Sequence, residues 1–259
     1  AVGASANGLR PIVEFMTFNF SLLAIDQIIN SAAKLMSMSG GQYSCPIVFR
    51  GPTGNAGQLS SQHSSNFENW YANTPGLKVV IPSNPADAKG LLKSAIRDND
   101  PVMFLENTIL YGEACEVPDG EYLVPLGKAS VMRAGTDISI IGHGRSIQLA
   151  LKAADLLKEK HNINAEVVDL RSIRPLDVDT ILNSVKKTSR CLYVEESKPF
   201  CSVGAMVACL ISDQAFDYLD APVKRLTSID APAIYSPPLE KLQLPSVERI
   251  YQAALDTLK

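Results

Sequence analysis

Short β-branched runs alternate with longer segments of helical apolar period along nearly the whole 259-residue chain. Uniformly apolar strands need cover on both faces, and the intervening helices supply it. The pattern therefore predicts α/β units around mostly parallel sheets. Two series can be read. In the first, strands are expected at Pro11–Met16, Pro46–Arg50, Leu77–Ile81 and Val102–Glu106, with a helix over Phe20–Met38 and another starting near Asn84. Pro85 suits the first position of that second helix and Asp87 its first turn.

The second series places strands at Asp137–Gly142, Ala165–Leu170, Cys191–Glu195 and Val223–Ser228, and helices at Ile147–Lys160, Asp177–Lys187 and Val203–Ser212. Val247, Ile250, Tyr251, Ala254, Leu255 and Leu258 share one face of a final amphipathic helix. Between Tyr111 and Pro125 the period is lost and Pro118, Asp119 and Gly120 cluster, as in a connecting segment. Two doubly wound α/β domains are expected, over residues 1–117 and 118–259.

Several function classes are disfavoured. A formal charge of −3 with scattered Lys and Arg offers no basic field for a nucleic acid. The five cysteines are odd in number and never spaced as CxxC, which speaks against a disulfide framework and a thiolate zinc site. No run approaches the roughly 18 apolar residues of a membrane span. A soluble, intracellular protein that binds neither membrane nor nucleic acid is expected.

The segment Arg50–Ser65, RGPTGNAGQLSSQHSS, follows a buried strand and carries Gly51, Gly54 and Gly57 ahead of His63. Ligands gather where loops leave the carboxyl ends of strands in doubly wound sheets, so this loop is the first candidate site. Its spacing fits neither the dinucleotide fingerprint nor the Lys-bearing phosphate loop, and a plain surface connection competes with the functional reading. His63 is a candidate proton-transfer group. His143, in GHGR at a strand end, makes a weaker case, and His161 reads as solvated surface. Glu195 and Glu196 read as a salt-bridged or solvated strand edge before an acid pair. Phe15, Phe18 and Phe20 alternate, which by itself favours core packing. The three separated histidines, with no HExxH and no GxSxG, give neither a transition-metal site nor a hydrolase triad an anchor.

The string Gly8–Lys34, GLRPIVEFMTFNFSLLAIDQIINSAAK, resembles the beta subunits of pyruvate dehydrogenases, thiamine-diphosphate-dependent 2-oxo-acid dehydrogenases. The likeness continues through MSGGQYSCPIVFRGPTG, SSQHS, PGLKVVIPSNPADAKGLLKSAIRDND, DLRSIRPLD, LYVEES and the DAP motifs near Asp220 and Asp230. It implies a transketolase-like pyrimidine-binding domain followed by a transketolase C-terminal-like domain. It also implies that Met16 and Phe20 line the aminopyrimidine pocket and that His63 is the active-site histidine of the QHS motif.

The alpha subunit of such enzymes holds the diphosphate and its magnesium through a GDG motif that this chain lacks. By resemblance the chain works in an assembly of two alpha and two beta subunits. It decarboxylates pyruvate and passes the acetyl group to lipoyl groups of a dihydrolipoyl acetyltransferase core. A structural potassium ion is implied at Ile47, Ala95, Ile96, Asp98 and Asp100, mostly through carbonyls, with Asp100 where Asn is commoner. The resemblance also implies a cofactor-activating Glu upstream of the small-residue opening. The sequence begins after that point, so the amino-terminal part of the first domain is expected to be missing, and Glu14 does not match the required position. A branched-chain 2-oxo-acid or acetoin dehydrogenase beta subunit is the nearest rival, and a truncated, non-catalytic assembly module is another. The compartment would be the cytoplasm in a bacterium and the mitochondrial matrix in a eukaryote.

Overall fold

The computed structural model describes residues 1–55 and 57–259, which form two compact α/β units. Their strands are β1 (Ile12–Glu14), β2 (Val48–Thr53), β3 (Lys78–Val80), β4 (Val102–Asn107), β5 (Ser130–Arg133), β6 (Ile138–Gly142), β7 (Ala165–Asp169), β8 (Ser172–Arg174), β9 (Cys191–Val194) and β10 (Lys224–Leu226). The helices are α1 (Val2–Ala6), α2 (Leu35–Met38), α3 (Glu68–Ala72), α4 (Pro85–Arg97), α5 (Arg145–His161), α6 (Val178–Thr188), α7 (Val203–Gln214), α8 (Pro237–Gln243) and α9 (Val247–Thr257).

In the first unit the strand order is β1-β2-β4-β3-β8, parallel throughout except for β8, which runs antiparallel to β3. The second unit has the order β10-β9-β6-β7-β5, with β5 antiparallel at its edge. Every residue of β4, β6, β7 and β9 is buried, as strands covered on both faces require. Val48, Val80, Val102 and Phe104 pack under Leu91 and Ala95 of α4 in the first unit. In the second, Ile138, Ile140 and Val167 pack against Ile147, Ala154 and Leu157 of α5 and against Ile250 and Ala254 of α9. Side-chain caps close α4, α6, α7 and α9: Asn84 accepts from Asp87 N, Asp177 from Thr180 N, Ser202 from Ala205 N and Ser246 from Arg249 N. Each satisfies an amide that the helix itself leaves without an acceptor.

Three expectations change. The division expected at 117/118 falls later: the first unit comprises Ala1–Gly127 together with Ser172–Pro175, and the second Lys128–Arg171 with Leu176–Lys259. The short β8, not expected as a strand, falls in the range assigned to the second domain and completes the first unit's sheet. The continuous helix expected over Phe20–Met38 is broken into a 3₁₀ segment (Phe18–Ala24), a π segment (Gln27–Ala32) and α2. Within the first of these, the Ser21 hydroxyl lies 2.6 Å from the Phe18 carbonyl and 2.5 Å from Tyr71 Oη. A side chain that bonds its own turn competes with the regular helical ladder. Among the described residues no helix is long and apolar enough to cross a membrane.

Candidate active site

β1 and β2 are adjacent and parallel, so the segments that leave them, Phe15–Phe20 and Gly54–Ser65, emerge from the same edge of the first unit's sheet. The two strands meet closely there. A Cβ on Gly51 would sit 2.3 Å from the Phe15 carbonyl oxygen, while Phe15 N donates to the Arg50 carbonyl at 2.9 Å. Only glycine tolerates that approach.

Phe18, the middle member of the aromatic trio, is fully buried and packs edge-on against Phe15 (5.4 Å between ring centroids) and Tyr71 (5.8 Å). Phe20 points elsewhere. Its ring meets the His63 imidazole edge-to-face, with centroids 5.4 Å apart and planes at 89°. Met16 is 80% exposed and Phe20 36%, so two apolar side chains face outward beside a half-buried histidine. The structure thus brings Phe20 and His63 together, while Met16 lies four residues before Phe20 in the segment that follows β1.

His63 ends a short 3₁₀ turn, Ser61–His63, entered through Ser60 at φ +65° and ψ −174°. That backbone region costs a residue with a side chain about 1–3 kcal/mol and is concentrated at functional sites. Two buried polar atoms of this loop, Asn55 Oδ1 and Ser64 Oγ, have no hydrogen-bond partner among the described residues. Buried polar atoms are ordinarily paired. Exposed apolar walls, a histidine and two orphaned polar atoms fit a flat heteroaromatic ring such as the aminopyrimidine of thiamine diphosphate.

Beside this edge lies a charged network that the sequence reading missed. Arg50 Nε and Nη2 reach the two oxygens of Glu106 at 2.7 and 2.6 Å, Nη1 reaches Glu14 at 2.9 Å, and Tyr111 Oη donates to Glu106 at 2.6 Å. Glu106 hydrogen bonding holds the Arg50 pKa above its ordinary value. Burial, and then the bond to Glu106, pushes Tyr111 strongly up. The only sequence signal is that Arg50 and Glu106 are charges in otherwise apolar strands. Replacing Arg50 by Met strips Glu106, whose side chain is 10% exposed, of its only cationic partner among the described residues. A loss of about 3 kcal/mol is expected, read by urea denaturation, and a change below about 1 kcal/mol would mean that Tyr111 alone supports the carboxylate.

The residues expected to hold potassium lie at the amino ends of β2 and β4 and the end of α4. Unpaired carbonyls were expected there, and four of the five, those of Ile47, Ala95, Ile96 and Asp98, instead have a donor. Ile47 O accepts from Val102 N at 2.9 Å and Ala95 O from Asp98 N at 3.3 Å. Arg10 Nη1 donates to both Ile96 O (3.1 Å) and Asp98 O (2.7 Å). Lys78 Nζ lies 2.7 Å from the Asp98 carboxylate and 3.0 Å from that of Asp100. Burial works against the Lys78 charge, and these two carboxylates outweigh it, leaving its pKa above the ordinary value.

The other titratable candidates have hydrogen-bond partners within their own unit. His143 is 5% exposed, with Nδ1 3.0 Å from Tyr193 Oη. His161, expected as solvated surface, is exposed, with Nε2 2.7 Å from Tyr251 Oη. Glu195 and Glu196 are buried: Glu195 accepts from Gly204 N at 3.1 Å and Glu196 from Arg145 at 2.9 Å.

Comparison with known proteins agrees with this architecture. Residues 1–113 match the transketolase pyrimidine binding domain and residues 127–250 the transketolase C-terminal domain. The chain is 52% identical over 258 residues to "Pyruvate dehydrogenase E1 component subunit beta-2, mitochondrial" of Oryza sativa, matching 98% of this chain and 68% of that protein. It belongs to the pyruvate dehydrogenase E1 beta-subunit family. Family membership extends to a Rhizobium meliloti protein of the same component, 54% identical over 97% of this chain, and to the mitochondrial yeast protein, 49% identical over all of it. The chain spans 55% of the length of the Rhizobium protein and 72% of the yeast protein. A solved split-gene transketolase, described as an inactive beta4 tetramer, has the same fold, with a TM-score of 0.80 at 21% identity over all of this chain and 79% of that one.

Proposed function

We propose that this chain acts as the beta subunit of a thiamine-diphosphate-dependent pyruvate dehydrogenase. In that role it works with an alpha subunit in an assembly of two alpha and two beta subunits and hands acetyl groups to the lipoyl arms of a dihydrolipoyl acetyltransferase. The observation that carries the reading is the edge-to-face pairing of His63 with Phe20, at the carboxyl ends of β1 and β2, where the segment after β1 also carries the exposed Met16. Thiamine diphosphate supplies, when bound, the electron sink for decarboxylation. Met16 and Phe20 wall the pyrimidine side. The protonated His63 imidazole would give its proton to the lipoyl sulfur released when the S–S bond breaks and the other sulfur takes the acetyl carbon. Magnesium belongs to the alpha subunit's diphosphate site.

Substrate choice tests the reading. In the assembled enzyme, pyruvate is expected to exceed 3-methyl-2-oxobutanoate in kcat/KM by at least about tenfold, since extra methylenes in a small apolar pocket discriminate by roughly 10- to 200-fold. A preference for the branched substrate transfers the chain to the branched-chain enzymes.

The reading includes a potassium ion at Ile47, Ala95, Ile96, Asp98 and Asp100. Support comes from the oxygen donor set, which suits a hard cation, and from the Ile96 and Asp98 carbonyls, which converge on one Arg10 nitrogen. Each carbonyl keeps a second lone pair, so the ion would share these oxygens with Arg10. Potassium at about ten times its dissociation constant is expected to stabilise the fold by about 1.4 kcal/mol over tetramethylammonium. A denaturation midpoint that does not move with potassium concentration overturns the assignment.

A further inference from the structure

The turn that carries Phe20 and the loop that carries His63 are tied by one side chain, Asn19. Its Nδ2 donates to Ser65 Oγ at 3.1 Å, and its Oδ1 accepts from Ser65 N at 3.3 Å. The amide orientation follows from chemistry: a backbone N–H can only donate, so Oδ1 must face it, and Nδ2 is then left for the hydroxyl. Thr17 supports the same arrangement. Its hydroxyl lies 3.3 Å from Asn19 Oδ1 and accepts from Asn19 N at 3.4 Å, while the His63 carbonyl is 3.5 Å away. Ser65 is in turn held to β2, because its carbonyl accepts from Thr53 Oγ1 and Gly54 N, both at 3.3 Å.

We propose that Asn19 is a positioning residue for His63, an uncharged clamp that fixes the imidazole against Phe20 and sets its approach to the cofactor pocket. Asn19 directly precedes Phe20 and grips the loop two residues past His63, so the two rings of the pair are fastened from their flanks. Among the described residues, the other hydrogen bond between the turn and this loop is the long Thr17 contact to the His63 carbonyl. This inference rests on the reading of His63 as the proton donor in lipoyl acetylation.

The test has two independent readouts. In the assembled enzyme, Asn19→Ala is expected to slow lipoyl acetylation by about 10- to 100-fold, the scale of a displacement near 1 Å, and to spare turnover with an artificial electron acceptor. Combined with His63→Ala it should cost no more than His63→Ala alone. Asn19→Asp can still accept from Ser65 N and from the Ser65 hydroxyl, so it should retain most of the acetylation rate. Losses that add in the double variant overturn the proposal. On this chain by itself, the His63 imidazole resonance should move in Asn19→Ala toward that of a free imidazole, as the ring leaves the edge of Phe20. An unchanged resonance also overturns the clamp. Should Asn19→Ala not fold, Ser65→Ala removes the Oγ end alone and must shift both readouts in the same direction. If His63→Ala leaves acetylation intact, the His63 reading fails and the mechanistic part of the proposal falls with it. The resonance still reports whether the clamp holds the ring.

Discussion

A His63→Ala variant is expected to lose lipoyl acetylation by roughly 100- to 10,000-fold, or about 3–5 kcal/mol of barrier, the usual contribution of a positioned acid–base group. Turnover with an artificial electron acceptor, which bypasses the lipoyl arm, should fall much less. The asymmetry follows from where His63 sits. It is half-buried, at the loop edge of the sheet and against Phe20, which in the proposed function is where an arm arriving from solvent would meet the cofactor. The strained Ser60 before it and the hydrogen bonds of Ser65 after it hold the imidazole in place. The deciding quantity is the ratio of the two losses. Equal losses would place His63 earlier, in cofactor activation or pyruvate binding, and no loss in either assay would make it a packing residue for Phe20.

The chain purified alone is expected to have no thiamine-diphosphate-dependent pyruvate decarboxylation, and to gain it when an alpha subunit is added. A diphosphate needs a metal and a dedicated set of oxygen and amide ligands. The only Asp-Gly pair, Asp119-Gly120, is exposed in the irregular segment after β4, far in sequence from Met16, Phe20 and His63. Release of carbon dioxide from carboxyl-labelled pyruvate measures the effect directly. Sustained release by the isolated chain refutes shared cofactor binding. If a cognate alpha subunit binds and activity still does not appear, the chain acts as an assembly module.

Much of this was legible in one dimension. Strand and helix periods are local, so the order of elements, the two α/β series and the position of the glycine-rich loop after β2 follow from neighbours a few residues apart. The site residues came from a different source. His63 alone is an ambiguous loop histidine and Phe20 alone a core aromatic, and only the family motifs raised them together.

What tertiary structure decided are the pairings that join distant residues. Phe20 meets His63 across 43 positions (63 − 20), Arg50 meets Glu106 across 56, and Arg10 meets the Asp98 carbonyl across 88. The Ser21–Tyr71 contact, 50 positions apart, accompanies the broken helix that periodicity drew as continuous. The return of β8 to the first unit's sheet likewise depends on a partner strand more than 90 positions back. Hydrophobic period encodes which face of an element is buried, but not which polar group of another element will satisfy its hydrogen bonds. That choice is made when the chain closes, because only then does each buried donor and acceptor meet the partner that offsets its desolvation.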